Sequence, residues 1–342
     1  MPKRHITHTT TIIMSSPKLD LPWLIRLKLF IFNCFRSTIY RSDGSVDRRI
    51  YNLIEFKSPP RTGTHVSTSD VVVNSSRNLW FRLFVPTTTT PNKQLPLILY
   101  LHGGGFSIQA PNSSIYDDYC RLLSIKIPAI IASVNYRLAP ENRHPSQIED
   151  GFDALKFIDS RNYDILPANI DLDKCFIAGD SAGGNIAHHV TVRACRNPSE
   201  FDKIKIVGLL LLQPFFGGEE RTESETRLTN APVLNVELTD KMWRAFLPEG
   251  ADRDHPAANI MKSARLDADV SLFPKTLVIV GGYDPLVDWQ RRYVEWIEEC
   301  GKEVEMIEYP NHGFHGFFLF TELVECQMCI DELREFVHKQ AS

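Results

Sequence analysis

Ser181 lies in Gly179-Asp180-Ser181-Ala182-Gly183, directly after the apolar run Cys175-Phe176-Ile177-Ala178 and directly before a small-residue segment that reads as a helix. A serine on so tight a strand-to-helix turn has its hydroxyl held clear of the backbone, and the flanking glycines allow the close approach that the turn needs. A hydroxyl is a poor nucleophile until a base takes its proton, and that base must be held in one tautomer by a third group. Both partners follow downstream: Asp284 in Gly282-Tyr283-Asp284-Pro285 and His315 in Phe314-His315-Gly316-Phe317. Upstream stands His102-Gly103-Gly104-Gly105-Phe106, a stretch whose amides can turn inward without Cβ atoms in the way. Gly103, Gly104 and Gly105, together with the amide of Ala182, are the candidate oxyanion hole, the donors that meet the negative oxygen formed in acyl transfer. His102 reads as a brace for that loop. The chemistry these residues imply is acyl transfer through an activated serine, that of a serine hydrolase.

Two assignments have rivals. Asp288 is four residues beyond Asp284 and reads as a carboxylate at a helix N-terminus. His312, in Asn311-His312-Gly313-Phe314, competes with His315 as the base. Other reactive side chains read as structural. His188 and His189 are neighbours on a helix, so their rings diverge. Cys326 and Cys329 fall on one helical stripe with Ile330, Leu333 and Val337, which suits buried thiols. His144 and His255 precede prolines and receive no role. No phosphate-binding loop, dinucleotide fingerprint or metal-ligand spacing is present, so neither a metal nor a cofactor is expected.

Positioning these groups requires a series of strands. Val71–Val73 and Leu79–Val85 read as a hairpin, and Leu95–Leu101, Ile130–Val134, Ile206–Leu212, Thr276–Val280 and Val304–Tyr309 as short buried strands. Helical patterns alternate with them, as in the stripe Trp289, Tyr293, Trp296 and Ile297. Such alternation implies a mainly parallel sheet covered by helices on both faces. With the order serine, aspartate, histidine, the expected fold is that of an α/β-hydrolase. Residues 1–20 read as a flexible leader and 21–342 as the hydrolase domain. Segments of about 21–60 and 215–265 interrupt the rhythm and are expected to form a cap over the strand ends. Phe106, Phe215 and Phe216 are the candidate substrate-pocket residues. On the N-terminal helix, Leu21, Trp23, Leu24, Leu27 and Phe30–Phe32 are expected to cluster inward, with Arg26 and Lys28 turned to solvent.

Composition sets the remaining bounds. The 342 residues are 43% hydrophobic and 23% charged, and the formal net charge is −4. That profile supplies a core and gives no surface for nucleic acid. The apolar stretch Leu27–Phe35 is interrupted by Lys28 and Asn33 and is too short to span a bilayer. Seven scattered cysteines fit a reducing compartment. The cytoplasm is therefore the expected location, with plastid and nucleus as alternatives because residues 1–19 are basic and hydroxyl-rich. The expected partner is a small-molecule ester, and nothing in the sequence sets an oligomeric state.

With these residues in place, the chain resembles the plant carboxylesterases of the hormone-sensitive-lipase-like group of α/β-hydrolases. The matching stretches are His102–Phe106, Val134-Asn135-Tyr136-Arg137-Leu138-Ala139-Pro140-Glu141, Gly179–Asn185, Gln213-Pro214-Phe215-Phe216-Gly217-Gly218-Glu219-Glu220-Arg221-Thr222, Asp284–Gln290 and Tyr309-Pro310-Asn311 with Phe314-His315-Gly316-Phe317. Aligning the last aromatic run selects His315 as the base. The same family contains gibberellin receptors, which the resemblance describes as lacking the catalytic histidine and using an N-terminal lid. Retention of His315 therefore implies ester hydrolysis through an acyl-enzyme, with receptor-like binding, or elimination or cyclisation at the same site, as alternatives. One departure is Thr321-Glu322-Leu323, where related sequences carry Pro-Glu-Leu.

Overall fold

The computed structural model describes residues 19–41, 43–63, 65–87, 93–160, 165–263, 265–266 and 270–342. The leader expected over residues 1–20 therefore lies almost wholly outside the described residues. Helices α1 (Trp23–Ile39) and α2 (Arg48–Ile54) come first, and Asp47 caps α2 by accepting from the Arg49 and Ile50 amides. Strands β1 (Val66–Asn74) and β2 (Leu79–Pro86) form the hairpin. The chain continues through β3 (Leu95–Leu101), α3 (Ser114–Lys126), β4 (Ile130–Asn135), α4 (Ser146–Ser160), β5 (Ile170–Asp180), α5 (Ala182–Arg196) and β6 (Ile206–Leu212). Two helices, α6 (Glu223–Arg227) and α7 (Val236–Phe246), stand before β7 (Lys275–Tyr283). Then follow α8 (Val287–Glu299), β8 (Val304–Phe314) and α9 (Val324–Ala341).

The eight strands form one sheet in the order β1-β2-β4-β3-β5-β6-β7-β8. The β1–β2 and β2–β4 pairs are antiparallel, and the remaining pairs are parallel. Continuous apolar runs suit this sheet because each strand feeds two cores at once. Leu97, Leu99 and Leu101 of β3 join one core, and Ile98 and Tyr100 join the other. The same alternation puts Leu209 and Leu211 of β6 on one side and Leu210 and Leu212 on the opposite side. Residues of α4, α5 and α8 fill the first core, while α3 and α9 fill the second. Layers on both faces leave the strand ends as the accessible place for a ligand.

Two strands are longer than their apolar runs. β1 starts at Val66 because the polar stretch Ser67–Asp70 belongs to an edge strand, where Asp70 pairs with Arg82 across the hairpin. β8, the other edge, continues past Pro310 to Phe314, which pairs with Tyr283 across a register shift. A proline is tolerated there because an edge strand leaves one row of amides unpaired.

The N-terminal helix packs differently from its sequence expectation. Leu21, Ile25 and Leu29 are buried, whereas Trp23 is 75% and Phe30 65% exposed. Spacing of four residues places the buried three on one stripe, so Trp23, Leu27 and Phe30 point away from the body. Lys28 is half exposed and pairs with Glu322, in the segment between β8 and α9. That ion pair fastens α1 to the loop after β8. Arg48 fastens the next segment, donating to Glu141 and to the Ser107 and Ala139 carbonyls. No helix among the described residues is long and apolar enough to cross a membrane.

Candidate active site

Ser181 follows β5 as the residue just before α5, with φ 51° and ψ −120°. A left-handed φ at a non-glycine residue is strained, and the surroundings must hold it. Its amide donates to the Leu212 carbonyl, and its own carbonyl accepts from the Phe215 and Asn185 amides. The next turn demands a glycine at Gly183, where a Cβ would come within 2.0 Å of the Leu101 carbonyl oxygen. The serine hydroxyl makes no capping bond to α5. It meets His315 Nε2 at 2.8 Å instead.

His315 leaves the end of β8, and its Nδ1 lies 2.8 Å from Asp284 Oδ2. Asp284 is fully buried just after β7. The Leu286 amide donates to its Oδ1 and Gln290 Nε2 to its Oδ2. A carboxylate so placed favours the tautomer with the proton on Nδ1, leaving Nε2 to accept from the serine. The structure thus brings Ser181, His315 and Asp284 into one hydrogen-bonded chain from three separate strand ends. Asp288 sits in the first turn of α8 and accepts from the Ser224 amide, away from that chain. His312 lies within the last residues of β8, and its side chain lies outside the described residues.

Gly104 and Gly105 line a cavity of about 250 Å³ that also has Ser181 and His315 in its wall. Gly104 takes φ 101°, and a Cβ there would fall 2.3 Å from the Ile108 carbonyl oxygen. Gly103 is placed otherwise than expected. Its amide donates to Tyr116 Oη and Asp180 Oδ1, so it is already engaged. The oxyanion candidates that face or adjoin the cavity are therefore Gly104, Gly105 and Ala182, the last being the first residue of a helix whose N-terminus favours negative charge. His102 does brace the loop: its Nδ1 lies 2.9 Å from the Gly103 carbonyl and its ring stacks on Tyr136 at 4.3 Å. Burial lowers the affinity of this imidazole for a proton, to a pKa of about 4. It is neutral near neutral pH.

Several residues that hold the site carried no catalytic label in the sequence. Asp180 accepts from Tyr100, Tyr116 and the Gly103 amide, which ties the glycine loop to the serine turn. Burial raises its pKa to about 6, and the donors around it and nearby His315 offset part of that rise. Gln213 grips both sides of His315, accepting from the Gly316 amide at 2.7 Å and donating to the Phe314 carbonyl at 3.2 Å. Its position in the long motif after β6 was the available signal. Gln290 orients Asp284 from the first turn of α8, six residues further along the chain, a spacing that no short motif encodes.

The three aromatic pocket candidates stand behind the cavity. Phe106 stacks on Phe246 at 3.7 Å, Phe215 packs on Trp243 at 4.1 Å and Phe216 stacks on Tyr293 at 4.7 Å. None of the three is in the wall, because their backbones belong to catalytic turns while their side chains point into the core. Apolar wall is supplied by Ile108, Ile115, Leu319 and Phe320 of the body, and by Val233, Leu234 and Met242 from the segment around α7. Lys28, Phe32 and Arg36 of α1 complete it. Parts of both expected cap segments thus reach the cavity.

Away from this site, His188 is buried against Tyr293, and desolvation holds its ring neutral. Cys326 and Cys329 are buried free thiols of α9. Among the described residues no cluster of three or more ligating side chains is arranged to hold a metal ion.

Residues 98–319 match the profile of the α/β-hydrolase fold family. The chain is 36% identical over 324 residues to the gibberellin receptor GID1C of Arabidopsis thaliana, covering 90% of this chain and 92% of the receptor. It is 38% identical over 293 residues to the 3-O-acetylpapaveroxine carboxylesterase CXE2 of Papaver somniferum, covering 81% and 92% of the two chains. Among solved structures, a hyperthermophilic esterase from Pyrobaculum calidifontis superposes with a TM-score of 0.74 at 26% identity, over 94% of this chain and 99% of that one. A hydrogen-bonded serine, histidine and aspartate at the strand ends, on a chain with these relatives, leads to one assignment: this chain belongs to the α/β-hydrolase fold family, in the group that includes plant carboxylesterases and gibberellin receptors.

Proposed function

We propose that the protein is a serine carboxylesterase that hydrolyses small-molecule carboxylic esters through an acyl-enzyme. The observation that carries this reading is the unbroken chain Ser181 Oγ, His315 Nε2, His315 Nδ1, Asp284 Oδ2, with both contacts at 2.8 Å. His315 takes the hydroxyl proton as Ser181 attacks the ester carbonyl, and the carbonyl oxygen becomes negative toward Gly104, Gly105 and Ala182. Collapse of the tetrahedral species expels the alcohol, which receives its proton from His315, and leaves the acyl group on Ser181. Water, deprotonated by His315, then attacks the acyl-enzyme and releases the acid. Asp284 stabilises the imidazolium formed in each half-reaction.

Similarity to a gibberellin receptor and a helix over the cavity favour a second reading, small-molecule binding beneath a lid. An aligned base speaks against it, since binding alone has no use for a histidine poised between Ser181 and Asp284. A panel of p-nitrophenyl esters separates the two. Hydrolysis of short-chain members is expected without added metal or nucleotide, to persist with a chelator, and to vanish in Ser181→Ala. Absence of turnover across the panel, or activity abolished by the chelator, contradicts the esterase reading.

The oxyanion assignment has its own test. In Gly104→Ala the new Cβ meets a backbone oxygen at 2.3 Å and the residue must hold φ 101°, so the loop itself has to move. In Gly105→Ala the nearest atoms belong to the flexible Met242 side chain and φ is a milder 59°. Loss of one well-aimed donor costs about 10²–10³ in kcat. Gly104→Ala is expected to approach that loss with a smaller change in KM, and Gly105→Ala to lose less. Equal activity of Gly104→Ala and the unaltered enzyme would remove Gly104 from the hole.

A further inference from the structure

Among the described residues two buried polar atoms of the cavity-lining side chains have no partner, Gln109 Oε1, an acceptor, and Arg36 Nη1, a cationic donor. Arg36 lies in the last turn of α1 and lines the cavity together with Lys28 and Phe32, at four-residue spacing on one helical face. Its Nη1 is buried without a hydrogen-bond partner, and its guanidinium carbon stands 5.9 Å from the centre of the Phe32 ring. Lys28 is already paired with Glu322, and the Asp180 carboxylate is taken by Tyr100, Tyr116 and the Gly103 amide. The surrounding wall is largely aliphatic and aromatic, so burial works against the Arg36 charge. Arg36 is half-buried and has no carboxylate partner among the described residues; a partly desolvated cation left so is unfavourable, and an anionic oxygen brought by a ligand relieves it. Guanidinium geometry suits a carboxylate in particular.

We propose that Arg36 sets substrate preference by binding a second, ionised carboxylate remote from the scissile ester, so that half-esters of dicarboxylic acids or acylated hydroxy acids are the favoured class. This rests on the hydrolytic reading of Ser181 and names its substrate. Because Arg36 rides on α1, the same contact joins the N-terminal helix to the substrate it covers.

The test compares matched anionic and neutral esters in the full-length enzyme, Arg36→Met and Arg36→Lys. One series, p-nitrophenyl hydrogen glutarate against p-nitrophenyl pentanoate, puts the carboxylate on the acyl side. The other, 4-acetoxybenzoate against its methyl ester, puts it on the alcohol side. In at least one series the anionic-to-neutral ratio of kcat/KM is expected to fall about 10-fold or more in Arg36→Met, mainly through KM, and to be partly restored in Arg36→Lys. The series that responds identifies the side of the ester that reaches Arg36. A ratio unmoved by Arg36→Met in both series, while neutral esters are still hydrolysed, overturns the proposal. Thermal stabilisation of Ser181→Ala by the glutarate half-ester gives a readout free of turnover. If no ester is hydrolysed yet that stabilisation is present and disappears when Arg36→Met is added, the esterase reading fails and the carboxylate site stands. If neither turnover nor Arg36-dependent stabilisation occurs, both fail.

Discussion

His315→Ala is expected to lower kcat for a short-chain aryl ester by about 10⁴-fold or more, the scale of loss seen when a serine hydrolase triad loses its base. Ser181 Oγ has His315 Nε2 as its base, and Asp284 contacts that ring on the far nitrogen. No other imidazole described near the serine can substitute: His102 is buried beside Gly103 and Tyr136 and held neutral with its Nδ1 turned to the loop. KM is expected to change much less, since the cavity wall is supplied mainly by residues from other elements. His312→Ala is the matching control and should keep most activity. Steady-state kinetics of the two variants, with near-ultraviolet circular dichroism to confirm packing, decide the matter. A crippled His312→Ala beside an active His315→Ala would transfer the role.

Asp284→Asn is expected to cost about 10⁴ in kcat while leaving the fold intact, as the equivalent amide substitution does in serine hydrolases. The reason lies in the donors around the carboxylate. The Leu286 amide donates to Oδ1, and Gln290 Nε2 and His315 Nδ1 approach Oδ2. A carboxylate accepts all three, but an amide offers only one oxygen. With that oxygen on the Leu286 amide, the new NH₂ faces His315 and forces Nδ1 to accept. Nε2 then carries the proton and cannot take one from Ser181. Gln290 Oε1, buried and unpartnered, can rotate to accept from the same NH₂ and so stabilise the wrong tautomer. Asp288→Asn should be mild by comparison, because it touches only the bond to the Ser224 amide, a long ion pair with Arg291 and the charge at the start of α8. Comparable losses in the two variants would contradict the assignment of Asp284.

The sequence made the strand centres and the three chemical groups legible because each follows an apolar run and sits at a turn that glycine or proline announces. Leu95–Leu101 and Ile206–Leu212 occupy those strand positions in the structure. What stayed hidden was side-chain direction outside regular elements. Phe106, Phe215 and Phe216 flank the reactive turns in sequence, yet positive φ at Phe106 and close aromatic packing send their rings to the core. Periodicity alone could not choose a face for α1, since Trp23, Leu27 and Phe30 are as apolar as Leu21, Ile25 and Leu29. Gln213 and Gln290 stood inside recognisable stretches, but what they support was not legible, because Gly316 and Asp284 lie 103 and 6 residues away on elements that meet only after folding. Gly103 read as a donor by type, and only its engagement by Asp180 and Tyr116 removes it.

The central claim, an acyl group carried on Ser181, has a direct test. A p-nitrophenyl ester is mixed with the enzyme, the reaction is quenched in acid during the first turnover, and the digest is mapped by mass spectrometry. The expected result is a stoichiometric burst of p-nitrophenolate with the acyl mass on the peptide containing Ser181, and neither in Ser181→Ala. Rapid hydrolysis with the burst and adduct unchanged in Ser181→Ala, or with the acyl mass on another residue, would contradict the account.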